Sequence, residues 1–286
     1  MPFDLLLYAA FAGGWVLGRL VPHRSPWVGR ATLGCVAVLL ALLGASFRDV
    51  GLSEMVVVVP YAAAFALAVL AVTALLARAL SSKVSRRDAA PPTPRAERVP
   101  TSVVFLAALL GGAVLGRSVS LPTGELIPWA LYALLALVAF GLDLRWAPLK
   151  RAWVPVVAAS LGAVLTASVF ALLTPLGVAP VFASALAFGW YSLAGPLVAA
   201  RVGATLGLFA FLTNFLRESL TILLAPRLGP SLRGEGLASL GGATSMDTTL
   251  YFVVRYGESD AGSLALASGL VLTAAASLVV PLVLSL

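Results

Sequence analysis

Long apolar runs recur along almost the whole chain, and they constrain its fold more than any other feature. Runs of about 20 apolar residues are long enough to cross a bilayer as helices. The hydrophobic share is 60% and the charged share only 11%, whereas a soluble domain has about a quarter of its residues charged. Because backbone polar groups in lipid must be satisfied internally, such runs form helices. The sequence therefore predicts an all-α polytopic membrane protein.

Eight apolar runs predict transmembrane helices, and two polar, glycine-containing segments interrupt the second half. The predicted spans are residues 3–21, 31–47, 55–78, 101–117, 126–143, 153–174, 203–225 and 263–285. The polar segments are FGWYSLAGP at 188–196 and GGATSMDTT at 241–249. Broken backbone at membrane depth is tolerated only where protein or a wet cavity satisfies it. We expect residues 178–200 and 237–256 to form two re-entrant broken-helix hairpins, with full crossings as the alternative.

The basic residues predict how the chain is oriented. The first, third and fifth connections are rich in Arg and Lys, with five basic residues in the linker 81–100 alone, whereas the second and fourth have one Arg each. By the positive-inside rule the odd connections and this linker are cytoplasmic, and both termini lie outside. A full crossing by residues 178–200 would deliver Arg227 and Arg233 to the outer face, which favours the re-entrant alternative.

Two sequence motifs recur between the first and second parts of the chain. GGWVLGR at 13–19 returns as GGAVLGR at 111–117, and GASFR at 44–48 has an echo in GLDLR at 141–145. Each unit contains three predicted spans, and an odd number of spans places adjacent copies in opposite orientations, as in secondary transporters. Chance similarity between glycine-rich membrane helices is the alternative. The single transporter domain, 1–286, then divides into repeats 1–80 and 101–175, the basic linker 81–100 and a hairpin-containing core 178–286.

Charged and amide side chains lie inside the predicted span 203–225. Asn214, Glu218 and Thr221 share one helical face, and Arg217 lies about a quarter turn away. A charge near the middle of a membrane helix costs roughly 2.5 to 3.5 kcal/mol on insertion scales, so such residues usually serve an ion or substrate path. A carboxylate and an amide can receive an ammonium group, and a buried Glu can also take up a proton. A structural pair between Arg217 and Glu218, or a helix-packing bond, is the alternative.

A second carboxylate, Asp247, lies among hydroxyl residues in the second polar segment. The ends of broken helices there could bind a substrate carboxylate at the amino end and an ammonium group at the carbonyl end; an ordinary loop is the alternative. Trp190 and Tyr191 either wall the substrate or mark an interface. The candidate substrate-binding residues are Trp190, Tyr191, Ser192, Gly195, Asn214, Glu218, Thr244, Ser245, Asp247 and Thr248, of which Glu218 and Asp247 are also candidates for proton coupling.

Several function classes are excluded by the sequence. The chain has no nucleotide-binding Gly-Lys-Ser loop and no cofactor fingerprint, and with Cys35 as its one cysteine and His23 as its one histidine it has no Cys/His metal cluster. We therefore expect no cofactor, no metal and no enzyme activity. The net charge of +7 resides mainly in short connections, where it sets topology rather than binding nucleic acid. Asp143 is expected to be an exposed or paired helix-end residue rather than a ligand.

Three motifs carry a resemblance to a known family. FGWYSLAG at 188–195, the dipeptide Arg217-Glu218 and GATSMD at 242–247, in this order and at these spacings, closely resemble the prokaryotic lysine exporter family LysO. The resemblance extends over essentially the whole chain and is strongest between residues 182 and 250. It implies an inner-membrane exporter of L-lysine and its toxic analogue thialysine, in which membrane-embedded acidic residues are important for transport. The position of Asp143 varies in the family.

The resulting hypothesis is a secondary exporter of cationic amino acids that works by alternating access and exchanges substrate for protons as an antiporter. Glu218 would hold the substrate ammonium or a proton, and Asp247 a second cationic group. The remaining polar atoms would come from Asn214, Ser192, Thr244 and Ser245. The expected partners are L-lysine, protons and membrane lipid, and a homo-oligomer is compatible with the sequence. A transporter of another small charged metabolite, a cation channel and a membrane enzyme are the alternatives.

Overall fold

The computed structural model describes residues 3–21, 26–49, 51–81, 101–141, 152–246, 248–258 and 261–286. All regular structure in these ranges is helical, which confirms the all-α class. The helices are α1 (Phe3–Leu20), α2 (Pro26–Ser46), α3 (Leu52–Ser81), α4 (Thr101–Ser118), α5 (Thr123–Gly141), α6 (Trp153–Leu173), α7 (Val178–Leu186), α8 (Tyr191–Val202), α9 (Ala204–Gly241), α10 (Leu250–Tyr256) and α11 (Ala261–Val283), with 3₁₀ turns at Phe47–Asp49 and Gly242–Met246. The expectations for Asp143, Asp247 and residues 82–100 lie outside the described residues.

Four helical stretches are long and apolar enough to cross a membrane. They are Ser53–Ser81, Trp153–Leu173, Ala204–Met246 and Ala261–Val283, and shorter apolar helices occupy Arg30–Ser46, Ala107–Ser118 and Thr123–Leu137. Large apolar side chains also point outward from these helices; Leu172 is 87% exposed and Leu75 is 69% exposed. Such an apolar exterior suits lipid rather than water. The chain is a multi-pass membrane protein, and the count of eight spans stays a prediction.

Helix α9 is longer than the apolar run that predicted it. The run ends at residue 225, but the helix continues through Pro226 and Pro230 to Gly241 and is broken at Arg233, where φ is 59° and ψ is −170°. Hydropathy reports transfer into lipid rather than helix formation, so the polar stretch after residue 225 ended the predicted span without ending the helix. The break separates a long first segment of α9 from a short second segment.

Two short helix–turn–helix units lie at the positions of the two polar segments. In the first, α7 and α8 are joined by a turn at residues 187–190. In the second, the segment of α9 after Arg233 leads through the 3₁₀ turn Gly242–Met246 to α10. We call these turns the first turn and the second turn. Their broken-helix form agrees with the expectation from sequence, whereas re-entry from one membrane face stays a prediction.

Helices α1 and α5 approach each other at two glycines. A Cβ added at Gly14 would lie 2.2 Å from the carbonyl oxygen of Ala136, and one added at Gly18 would lie 2.3 Å from that of Phe140. Such distances are possible only without a side chain, as is common where membrane helices pack. Because residue numbers rise in the same direction along both helices, α1 and α5 run parallel.

Helices α4 and α2 make the same kind of contact. A Cβ added at Gly112 would lie 2.0 Å from the carbonyl oxygen of Ala41, and one added at Gly116 would lie 2.5 Å from that of Ala45. These two helices also run parallel. In both motifs, GGWVLGR and GGAVLGR, glycines allow a close approach between helices, but the partner helix differs.

Aromatic rings fix α9 against the earlier helices. Phe65 of α3 stacks on Phe209 of α9 with 5.7 Å between ring centroids, and both rings contact Phe170 of α6, at 4.5 and 6.3 Å respectively. Phe65 and Phe209 are fully buried. Stacked and tilted pairs of this kind add to the free energy gained from burial. The first segment of α9, which carries the polar residues, is therefore held on a packed support.

Candidate functional site

The first and second turns contact each other directly. The backbone N–H of Ala243 donates a hydrogen bond to the carbonyl oxygen of Phe188 over 2.9 Å. A Cβ added at Gly242 would lie 2.4 Å from this same oxygen, and Gly242 has a φ of 62°. Only glycine meets both conditions without strain. Two polar segments that are far apart in the sequence are thereby brought together.

The first turn has an unusual backbone, in which the N–H of Gly189 points towards α9. Phe188 has a φ of 52° and Gly189 a φ of 92°. A bulky residue with positive φ costs of order 1 to 3 kcal/mol and persists only where its surroundings enforce it. Phe188 is buried, with 3% of its surface exposed. Tertiary packing and hydrogen bonds therefore hold this turn in place.

Asn214 supplies those hydrogen bonds. Its Oδ1 accepts from the N–H of Gly189 at 2.8 Å, and its Nδ2 donates to the carbonyl oxygens of Ser184 and Ala210, each at 2.9 Å. The side chain is 1% exposed. An amide has two N–H donors, and both are used by the backbone. Asn214 therefore positions the first turn, and only a remaining lone pair of Oδ1 is left for a ligand.

Arg217 holds the chain that leads into the second turn. Its Nε donates to the carbonyl oxygen of Leu240 at 3.2 Å, and its Nη2 donates to that of Ser239 at 3.3 Å. The last carbonyls of a helix have no partner within the helix, and a cation beside them is favourable. Arg217 is 1% exposed, and its Nη1 has no hydrogen-bond partner within the described ranges.

Glu218 follows Arg217 on α9 and is 2% exposed. The two side chains point about 100° apart around a helix, so neighbours of this kind do not face each other. Where the structure describes the chain, an ion pair joins Arg233 to Glu258 at 3.7 Å, and none joins Arg217 to Glu218. A structural role for Glu218 in helix packing stays an alternative to a role in transport.

The hydroxyls of the second turn contact backbone atoms. Thr244 Oγ1 donates to the carbonyl oxygen of Gly241 at 2.9 Å, and Ser245 Oγ lies 2.7 Å from that of Gly242 and 2.9 Å from that of Ala265 in α11. Ser245 therefore ties the second turn to the helix that follows it, as Asn214 ties the first turn to α9. Asp247 is outside the described residues, so its position relative to these hydroxyls stays a prediction.

Two other candidates lie at the start of α8. The indole Nε1 of Trp190 donates to Ser192 Oγ over 2.9 Å. Trp190 is half-buried and Ser192 is 5% exposed. The Ser192 hydroxyl can still donate its own proton, since here it acts as an acceptor. Of the aromatic candidates, Trp190 is half-buried, whereas Tyr191 is 4% exposed.

Tyr191 and Gly195 are packed against α9. The ring of Tyr191 contacts Phe211 and Phe215 edge-on, with centroid separations of 5.5 and 5.6 Å. A Cβ added at Gly195 would lie 2.8 Å from Cβ of Phe211. These contacts give both residues a role in bringing α8 close to α9. Their expected contact with substrate stays a prediction, as it does for the half-buried Thr248.

Two buried hydroxyls were not selected as site residues from the sequence, although Thr249 belongs to the second polar segment. Thr213 Oγ1 and Thr249 Oγ1 are buried and have no hydrogen-bond partner among the residues described. Thr249 Oγ1 would lie 2.4 Å from a Cβ added at Gly241, so it flanks the chain held by Arg217. The spacing of four residues between Thr213 and Arg217, which places both on one helical stripe, is the signal that could have selected Thr213.

Together these groups can bind a small molecule that carries both charges. The buried guanidinium of Arg217 and several hydroxyls lie beside the contact between two broken-helix turns, and the buried carboxylate of Glu218 is adjacent to Arg217 on the same helix. Within the described ranges, no group of three or more His, Cys, Asp or Glu side chains could hold a metal ion. A zwitterion or an ion is thus the class of ligand that this arrangement suits.

Comparisons with known proteins agree with the sequence motifs. The family model described as lysine exporter LysO matches residues 104–284, which is more than half of the chain. The chain is 37% identical over 150 residues to "Lysine exporter LysO" of Escherichia coli strain K12, covering 51% of this chain and 47% of that protein. It is 29% identical over 182 residues to a Haemophilus influenzae protein named "Putative lysine exporter", covering 58% of this chain and 90% of that protein.

The match therefore spans about half the length of the E. coli relative. No solved structure matches the chain.

Proposed function

Because this chain belongs to the lysine exporter LysO family, we propose that it exports L-lysine across the inner membrane of a prokaryote as a secondary active transporter. The observation that carries the proposal is the group of buried polar side chains on α9, Asn214, Arg217 and Glu218, beside the contact between the first and second turns. Buried ionisable groups in a membrane protein mark substrate and ion paths. Broken helices that meet inside a transporter form its binding site.

The carboxylates would recognise the cationic groups of lysine and its analogue thialysine. Glu218 would bind an ammonium group or a proton in turn, which would couple export to proton entry as antiport. Asp247 would bind the second cationic group. Ser192, Thr244 and Ser245 would contribute polar atoms, although Thr244 and Ser245 already contact backbone carbonyls. The remaining candidates, Trp190, Tyr191, Gly195 and Thr248, would shape the cavity around them.

The contacts of the first six helices support an inverted repeat. Helix α1 is parallel to α5, and α2 is parallel to α4. The connection between α4 and α5, residues 119–122, is too short to return along a helix of 18 residues. Helix α5 therefore starts where α4 ends and reverses its direction. It follows that α1 and α4, which carry the repeated glycine motif, run in opposite directions, as inverted repeats require.

The same reasoning supports alternating access in the core. Each broken turn is held by the long helix that follows it, the first by Asn214 of α9 and the second by contact of Ser245 with Ala265 of α11. Two equivalent units that meet at their turns can rock against each other and open the site to one face at a time. In this proposal the earlier helices α1–α6 form the support.

Lysine flux in proteoliposomes tests the proposed function. The purified protein should move radiolabelled lysine faster when the proton concentration is higher on the side of the bilayer opposite to the lysine. Reversing the pH gradient should reverse the direction in which lysine is driven. An uncoupled conductance would favour a cation channel instead. Flux of other charged metabolites but not of lysine would favour the alternative substrate.

The orientation is a separate prediction. Positive-inside topology places both termini outside, and the linker 81–100 and the region around residue 230 in the cytoplasm. Cysteines introduced near residues 90 and 230 should react with an impermeant thiol reagent only from the inner face, with Cys35 replaced to remove the background. Labelling near residue 230 from outside would overturn the re-entrant topology.

A further inference from the structure

An unpartnered guanidinium nitrogen lies in the interior of the proposed site. Arg217 is 1% exposed, and the carbonyl oxygens of Ser239 and Leu240 accept from Nη2 and Nε. The third nitrogen, Nη1, is buried and has no hydrogen-bond partner in the described part of the chain. Burying an N–H group that finds no acceptor in place of water costs free energy, and burying an unpaired charge costs more. This nitrogen therefore calls for an acceptor that arrives with the substrate.

The protein does not neutralise this charge with a carboxylate that the structure describes. Within the described ranges no Asp or Glu oxygen lies at ion-pair distance from Arg217; Glu258 pairs with Arg233 instead. The two carbonyl oxygens satisfy N–H groups but carry only partial charge. A buried cation is stabilised fully only by an anion with good geometry. An anionic ligand group is thus the partner that the arrangement lacks.

Two buried hydroxyls lie beside the same chain segments. Thr213 is one helical turn before Arg217, and helical side chains lean towards the amino end, so the stem of Arg217 passes over the turn that contains Thr213. Thr249 Oγ1 would lie 2.4 Å from a Cβ added at Gly241, next to the Leu240 carbonyl that Arg217 contacts. Neither hydroxyl has a partner within the described residues. Each hydroxyl therefore keeps a proton that it can donate to a ligand.

We propose that Arg217 binds the α-carboxylate of the exported amino acid through Nη1, and that the hydroxyls of Thr213 and Thr249 donate to that carboxylate. The proposal rests on the export function proposed above and defines its substrate class as α-amino acids with a free carboxylate rather than amines or polyamines. Arg217 and Glu218 are adjacent, and their side chains diverge by about 100°. Their terminal groups therefore reach different parts of a bound substrate, with Arg217 at its carboxylate and Glu218 at a cationic group.

A substrate without its carboxylate tests the assignment. Lysine and 1,5-diaminopentane, which is lysine with the carboxyl group replaced by hydrogen, should be compared as substrates in proteoliposomes. The wild type should prefer lysine, and Arg217→Gln should reduce lysine flux roughly tenfold to a hundredfold, because a hydrogen bond to a charged group is lost. Diamine flux should fall much less than lysine flux, so the preference for lysine should disappear. The Arg217→Lys variant should retain part of the preference, because a Lys side chain keeps the positive charge but lacks the planar guanidinium.

Arg227→Gln is the matched control, because Arg227 is exposed on the same helix, and it should leave the preference unchanged. The proposal is overturned if Arg217→Gln keeps the preference of the wild type, or if the wild type carries the diamine as well as lysine. If Arg217→Gln is not recovered as folded protein, an unchanged preference in both Arg217→Lys and Thr249→Val overturns it.

The experiment distinguishes a failure of the proposed export function from a failure of the carboxylate assignment. A wild type that carries neither compound would reject lysine export, and the carboxylate assignment with it. A wild type that carries lysine, combined with Arg217 variants that still discriminate, would reject only the carboxylate assignment.

Discussion

The first six helices and the C-terminal region bury different kinds of side chain. In the described part of helices α1–α6, the buried polar side chains carry only hydroxyl groups, on Ser46, Thr73, Ser81 and Thr166. From α7 onward the buried set includes an amide, a guanidinium and a carboxylate, on Asn214, Arg217 and Glu218. The helices of the first region thus pack mainly through close fit of apolar surfaces, whereas those of the second region are also held by polar contacts.

The difference suggests that the first region serves packing and the second region serves transport. Glycine-to-backbone contacts, as between Gly112 and Ala41, bring helices together without any polar group. Buried charge carries a free-energy cost in a membrane, and it persists where function needs it. We therefore expect substitutions in the first region to change stability, and substitutions around α9 to change transport.

The largest effect is expected from Glu218→Gln. The change removes a buried negative charge with little change in volume, so lysine flux should fall by at least about a hundredfold, the usual order for losing one partner of a buried charge interaction. The protein level should stay near normal. Flux measured in proteoliposomes gives the result, and Glu125→Gln is the control, since Glu125 is exposed on α5. Near-normal flux in the Glu218 variant would show that this carboxylate is dispensable.

Asn214→Ala should affect stability and transport together. It leaves the Gly189 N–H and the Ser184 carbonyl without their side-chain partner, which costs about 1 to 3 kcal/mol of unfolding free energy. Because the first turn would lose its anchor, flux should also fall, by roughly tenfold. Denaturation in detergent and flux assays provide the two measurements. Ser231→Ala, at an exposed hydroxyl bonded within its own helix, should change neither.

The smallest effect on transport is expected from the packing glycines. Gly112→Ala and Gly14→Ala place a methyl group against a backbone carbonyl, so each should lower the free energy of unfolding by about 1 to 3 kcal/mol. Flux per folded molecule should change little. Their neighbours Gly111 and Gly13 have open space around an added Cβ, and alanine there should be neutral or stabilise by about 0.4 to 1 kcal/mol.

Thermal unfolding of the four glycine variants also tests the repeat. Gly14 and Gly112 occupy equivalent positions in the two motifs, so an inverted repeat predicts losses of similar size. A large loss at one position and none at the other would argue against equivalence. Impaired flux per folded molecule in either variant would argue against the proposed division between a packing region and a transport region.

The sequence alone determined the helical class, the membrane environment and the family. Apolar runs of sufficient length leave no alternative to helices in lipid, since backbone groups must be paired internally. The motifs at 188–195 and 242–247 indicated the LysO family, which the family model confirms. These properties depend on composition and on local order along the chain, and both can be read without coordinates.

Tertiary structure decided which atoms of the candidate residues are already in use. The sequence placed Asn214 and Glu218 on one stripe, but only the fold shows that Asn214 bonds the backbone of the first turn. It also shows that Arg217 binds carbonyl oxygens near the second turn instead of pairing with Glu218. Hydrogen bonds between distant segments depend on chain geometry that no local pattern specifies, because any buried carbonyl can serve as an acceptor.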